Sequence, residues 1–334
     1  MDAVMQAVRD YGRGHTTLLY PSPSEKPTED SQSYYSRINS LLVQRDFAQL
    51  EKIALQNRTE KGRLVGGYWE NYEFFNITRT PVREGSELKE SDYKVRFDLV
   101  NQWIAAFPQS AAARLTLANL YMSDAFFARG SGLAETVSDH QWVLFNERVA
   151  KTRQTLIAAA SLKERDRQWY CAMLELAQAE GWDKADTREL FEQAVAFEPE
   201  YYHFHKLYSL YLLPQWYGEP GEIQRFAEEA SARLPEPNSS ILYFQIMSTY
   251  ACYCKPQLQG LIDASYPKIL RGYTSLTEQF GNSNLIANRF AVMAWAFNDK
   301  NSVREAFTHI SAREPDAFLT QDTFDYVRQW PDAP

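Results

Sequence analysis

Residues 100–108 read VNQWIAAFP, and this short stretch decides the fold class. Val100 and Trp103 are three apart, on one face of a helix, and Pro108 follows five residues later. The same register returns in 191–199 (FEQAVAFEP), 227–235 (AEEASARLP) and 307–315 (FTHISAREP), with Phe191 and Ala194, Ala227 and Ala230, and Phe307 and Ile310 in the apolar positions. Two apolar side chains on one face give a helix something to pack against. A proline then stops it, because proline lacks the amide hydrogen that an α-helical ladder requires. Helices that pack and stop on a recurring register are the second helices of hairpins, and such hairpins stack along a chain. The fold expected is all-α, an α-solenoid of degenerate helical hairpins.

Outward from this register, proline and glycine breakers divide the chain beyond residue 93 into twelve helical patterns, near 93–106, 110–127, 139–161, 166–180, 186–197, 200–213, 220–233, 238–253, 258–279, 284–298, 301–313 and 320–329. No run of alternating strands interrupts them. Ser110, Asp186 and Asn301 stand at helix starts, each offering a side-chain oxygen to an orphan amide. Before residue 93, Ile38, Leu41 and Leu42 form one stripe and Phe47, Leu50, Ile53 and Ala54 the next, with a break at Arg45 and Asp46. Tyr68, Trp69, Tyr72 and Phe75 follow as an aromatic helix face, a pattern that ordinarily means core. Three parts are expected: 1–33, a helix and tether; 34–92, a hairpin and aromatic helix; and 93–334, the repeat array.

The first part has its own logic. Val4, Met5, Val8 and Tyr11 make one apolar stripe over residues 2–11, whereas PSPSEKPTEDSQS (21–33) is poor in apolar residues and reads as an extended tether. A tethered amphipathic helix either plugs the cleft of a partner, with Met5, Val8 and Tyr11 as anchors, or lies as a cap on its own chain.

Composition bounds the compartment and the partners. The 334 residues are 45% hydrophobic and 14% aromatic, enough for a sizeable core. No basic segment followed by an apolar run opens the sequence, and no uninterrupted apolar stretch is long enough to span a bilayer, so a soluble, cytoplasmic protein is expected. A net charge of −8 opposes nucleic acid and anionic membrane, which both need clustered Lys and Arg, and suits a basic protein partner. Of three cysteines, Cys252 and Cys254 would point about 200° apart on a helix, away from a shared metal.

Leu117, Ala118 and Tyr121, which follow Pro108, resemble the leucine, small residue and tyrosine of the first helix of a tetratricopeptide repeat. The likeness is degenerate: Tyr208, Ser209 and Leu212 occupy these positions after Pro199, and Phe244, Gln245 and Ser248 after Pro235. A second resemblance, across residues 35–235, rests on Asp46, Phe47 and Leu50, on Ala128, Arg129 and Gly130, and on Leu213, Pro214, Trp216, Gly218 and Pro220. These are similar to a bacterial helical family known only as a domain of unknown function, which implies a fold and no mechanism. The tetratricopeptide likeness implies a concave groove lined by the first helices, with Asn119 and Ser123, His203 and Lys206, and Tyr243 and Tyr250 facing a bound polypeptide.

No catalytic, cofactor or metal residue can be assigned. His203 and His205 face nearly opposite sides of a helix and lack companion ligands. Arg129, Gly130, Ser131 and Gly132 lack the phosphate-loop pattern, and read as a helix-ending loop, the alternative being that Arg129 anchors a carboxylate inside the fold. Glu198, Glu200, Glu228 and Glu229 read as solvated helix positions, and Cys171, in an apolar run, as inert filler. Trp216, between Pro214 and Pro220, is either a rigid corner or an exposed binding anchor. The function expected is non-enzymatic protein binding, most concretely by an immunity protein that neutralises a basic toxin domain; a housekeeping adaptor and an enzyme with a dispersed site are the alternatives.

Overall fold

The structure of the chain, a computed structural model, describes residues 2–15, 26–83, 85, 87–253 and 263–332. All its regular elements among the described residues are helices, apart from isolated bridge residues at Arg63 and Trp69. None of these helices is long and apolar enough to cross a membrane. Two compact units divide the chain inside one helix, between Phe204 and His205, and not at residue 93.

The first unit takes the described parts of Met1–Ser24, Ser31–Gly62 and Trp69–Phe204. It holds α1 (Asp2–Tyr11), α2 (Ser31–Val43), α3 (Phe47–Thr59), α4 (Glu70–Arg79), α5 (Glu90–Ala106), α6 (Ala111–Arg129), α7 (Asp139–Ala160), α8 (Arg167–Glu180), α9 (Lys184–Phe197) and the start of α10 (Tyr202–Tyr211). The expected break between α2 and α3 is a reversal at Arg45, with φ +61°, after which the Asp46 carboxylate caps α3 by accepting the Gln49 amide at 3.2 Å. Val100 and Trp103 are fully buried. The Trp103 indole donates to Glu51 of α3 at 2.7 Å and packs between Phe47 and Phe74. Burial of a side chain of this size is worth about 2–3 kcal/mol. The opening register therefore fixes α5 against α3 and α4, which is why residues before and after 93 share one core.

Each helix from α5 to α8 packs on the next, and the alternate helices α4, α6 and α8 also touch. Ser110 caps α6 through the Ala113 amide at 2.9 Å, as expected. The cap of α9 is Asp183, three residues before the expected Asp186, whose amide it accepts. The aromatic face is shorter than its spacing implies, because α4 begins at Glu70 and Tyr68 belongs to the other unit.

The second unit comprises the described parts of Glu25–Asp30, Arg63–Tyr68 and His205–Pro334. It contains the rest of α10, then α11 (Glu222–Ser231), α12 (Asn238–Tyr253), α13 (Tyr266–Phe280), α14 (Asn284–Ala296), α15 (Lys300–Phe307) and α16 (Gln321–Gln329). Where α13 crosses α12, a β-carbon on Gly272 would fall 2.1 Å from the Ser240 carbonyl oxygen, so only glycine permits the contact. Tyr273, next in sequence, stacks on Phe290 of α14 with centroids 3.8 Å apart.

The fourth copy of the register departs from expectation. α15 ends at Phe307, and Ile310 lies beyond it. Asn284 accepts the amides of Ser311 and Ala312 at 2.9 and 3.1 Å, while Asn288, one turn on, donates to Ala312 O at 3.0 Å and accepts the Glu314 amide at 3.2 Å. Two asparagines of α14 thus capture the backbone that a longer helix would have used. The cap of α15 is Asp299 in place of Asn301. The start of the 258–279 pattern, Cys254 and residues 21–25 of the expected tether lie outside the described residues; the tether is also shorter than expected, because Ser31–Ser33 already belong to α2.

Candidate functional site

Alternate helices of the first unit bring together a polar and aromatic cluster. Tyr72 and Arg79 come from α4, Tyr93 from α5, Ser123 from α6, Glu175 from α8 and His203 from α10. The Arg79 guanidinium meets both oxygens of Glu175, at 3.0 and 3.2 Å. Burial opposes its charge, but Glu175 outweighs that and holds Arg79 above its ordinary value. Water reaches 21% of the Arg79 side chain and 15% of Glu175. Tyr72 lies flat on His203 at 3.7 Å, and the Tyr93 hydroxyl bonds Ser123 Oγ at 3.0 Å and donates to the Ser123 carbonyl at 3.1 Å.

Of the residues projected onto a groove, the structure brings Ser123 and His203 into this cluster. Asn119, one turn before Ser123 on α6, is fully buried, and neither atom of its amide finds a hydrogen-bond partner among the described residues. Tyr72, Arg79, Glu175 and Tyr93 were missed, although Tyr72 had been read as core; the Arg79–Glu175 pair joins residues 96 apart in sequence, beyond any local motif. Burial pushes the Tyr72 hydroxyl and the neighbouring Cys171 thiol well above their usual ranges.

The other projected residues belong to the second unit, and Tyr243 does not face a groove. Its ring is buried between α12 and α13, its hydroxyl accepts the Ser265 amide at 2.8 Å, and the Lys268 ammonium lies 5.3 Å from the ring centre. Lys206 and Tyr250 are half-buried. Trp216 is 37% exposed on a corner held by bonds from the Trp216 and Gly218 amides to the Leu213 carbonyl, at 2.8 and 3.2 Å.

Met5, Val8 and Tyr11 are corrected from partner anchors to core. All three are buried, because α1 lies on α7 and α9 of its own unit and inserts Tyr11 beside α8. The Tyr11 hydroxyl accepts the Asp166 amide at 2.8 Å, Asp166 accepts from Asn71 at 3.2 Å, and Asn71 accepts from Tyr201 at 3.1 Å. Arg165 donates to the Tyr11 carbonyl at 2.9 Å, and Arg9 pairs with Glu189 at 2.6 Å. Nearby, Glu198 is buried, not solvated, and is paired with Lys61 at 3.2 Å. Among the described residues Arg129 meets carbonyls and no carboxylate: it bonds Gly130 O and Gly132 O, each at 3.1 Å, under the Trp142 ring. His203 and His205 fall in different units, and no cluster among the described residues could hold a metal ion.

The loop that Arg129 closes joins α6 to α7, and this end of the hairpin carries apolar side chains in water. Leu133 is 70% exposed, Val143 61% and Phe126 37%. No Lys or Arg occurs between Gly130 and Glu147, whereas Glu135, Asp139 and Glu147 are all exposed. The absence of basic residues over this run was legible in the sequence; the exposure was not.

No family model matches the chain, and no curated protein or solved structure is significantly similar to it.

Proposed function

We propose that this chain is a non-enzymatic protein-binding helical-repeat protein, a solenoid of degenerate tetratricopeptide-like hairpins. Its most concrete form is an immunity protein that captures and neutralises a basic toxin domain in the bacterial cytoplasm. The observation that carries the reading is the cluster assembled from alternate helices, in which Tyr72, Tyr93 and His203 lie around the partly exposed Arg79–Glu175 pair. A surface drawn from successive hairpins suits an extended polypeptide, and aromatic side chains give large contact area at low entropic cost. The acidic net charge supports a basic partner, since complementary charge speeds encounter.

Affinity purification of the full chain from its native host, with mass spectrometry and a size measurement of the recovered complex, tests the proposal. One stoichiometric basic partner, encoded beside this chain, is the expected result. Many weak partners would replace the toxin inhibitor with an adaptor, and recovery of none would remove protein binding altogether.

A further inference from the structure

The exposed end of the α6–α7 hairpin points to a partner of defined chemistry. The last turn of α6 supplies Phe126, the connection supplies Leu133, and the first turns of α7 supply Trp142 and Val143. Phe126 and Trp142 both pack edge-on against the buried Phe145 ring, at 5.5 and 5.6 Å, so the aromatic part of this surface is anchored before anything binds. Leu133 and Val143 leave apolar area in water that no other described part of the chain covers.

Charge decides what covers it. From Gly130 to Glu147 the formal charges are those of Glu135, Asp139 and Glu147 alone. Both flanking cations are engaged elsewhere: Arg129 with the Gly130 and Gly132 carbonyls, and Arg148 with Asp124 at 2.9 Å and Glu90 at 3.4 Å. A second copy of this chain would bring the same three carboxylates against themselves, and an anionic membrane would repel them.

We infer that the end of the α6–α7 hairpin docks a basic amphipathic segment of another protein, whose apolar side chains cover Leu133 and Val143 while its Lys or Arg side chains meet Glu135, Asp139 and Glu147. This rests on the protein-binding reading and deepens it by naming the partner's chemistry.

The test titrates the full chain with a synthetic helical peptide of leucines on one face and lysines on the other, and with its glutamate counterpart. Tight binding of the lysine peptide alone is expected. Leu133→Ser with Val143→Ser, and separately Glu135→Gln with Asp139→Asn and Glu147→Gln, should each weaken it at least about tenfold, or ~1.4 kcal/mol. Leu319→Ser, at an exposed leucine of the second unit, should leave it unchanged. Added salt should weaken the unaltered chain more than the neutralised variant. Equal binding of both peptides, self-association of the chain, or full affinity in both sets of variants would overturn the inference. If full affinity in those variants is instead lost in Tyr72→Ala, the hairpin end is excluded while protein binding through the cluster stands. Retained thermal transitions in all variants separate lost binding from lost folding.

Discussion

The phenol ring of Tyr11 lies flat against the indole of Trp169, with centroids 4.1 Å apart and planes 15° from parallel. Arg165 covers the same phenol at 4.9 Å, and Tyr170 meets it edge-on at 5.4 Å. This contact turns an amphipathic helix that is marginal alone into part of the core. Tyr11→Ala is expected to cost about 3–5 kcal/mol in urea unfolding of the full chain. Hydrogen exchange sharpens the test. Amides of α1 should be protected in the unaltered chain and lose protection in the variant before those of α8 do; α1 amides exchanging at free-peptide rates in both would show that the helix is not held.

Arg96 of α5 is 1% exposed, and its neighbours include no carboxylate partner: Asn39 accepts from Nη2 at 2.8 Å, while Nη1 has no partner among the described residues. Burial pulls its guanidinium down to about 10. An unpaired buried charge costs more than an apolar side chain of similar volume. Arg96→Met should therefore be neutral or stabilising, by up to about 2 kcal/mol, measured as the shift in urea midpoint. A large loss of stability would mean that the guanidinium has an anionic partner in solution.

Gly272 allows α13 to pass directly over the Ser240 carbonyl of α12. Gly272→Ala gains a little helix propensity, about 1 kcal/mol, but places its methyl inside the radius of an oxygen. The clash should win, destabilising the second unit by about 2–3 kcal/mol or more. Gly85→Ala is the control, since a β-carbon there meets nothing within 4 Å. Equal transition temperatures for both variants would show that the crossing is looser than described.

The sequence was informative wherever one local rule acted alone. Breakers and apolar spacing located α5 to α12 and α14 to within a few residues, because proline and capping side chains act on their own backbone. Long-range partners overrode such rules at α15, where Asn284 and Asn288 took the backbone that Ile310 was expected to extend. The same limit applies to surfaces. Periodicity placed Met5, Val8 and Tyr11 on one stripe, but which protein covers a stripe is not a property of spacing. Ser123 and His203 were reachable through a repeat register. Arg79 was not, because α4 precedes the first recurrence of that register and its partner Glu175 lies on α8.

Asp299 connects the cap of α15 to acid stability. Its carboxylate accepts the Tyr266 hydroxyl and the Ser302 hydroxyl, each at 2.8 Å, and the amides of Asn301 and Ser302 at 3.1 and 3.0 Å. Burial by itself would raise its pKa, but these hydrogen bonds outweigh it and hold Asp299 below the ordinary 3.8. A carboxyl depressed by folding adds stability that is fully present above its unfolded value and is lost as pH falls through the folded one. Asp299→Asn retains a capping oxygen without the charge. The variant should be less stable than the unaltered chain at neutral pH, by about 1 kcal/mol, and the gap should close below pH ~4, where the unfolded aspartate also becomes protonated. Urea midpoints for both chains between neutral pH and pH ~3 measure this. A gap that stays constant on acidification would mean that Asp299 caps the helix without being held ionised by its four donors.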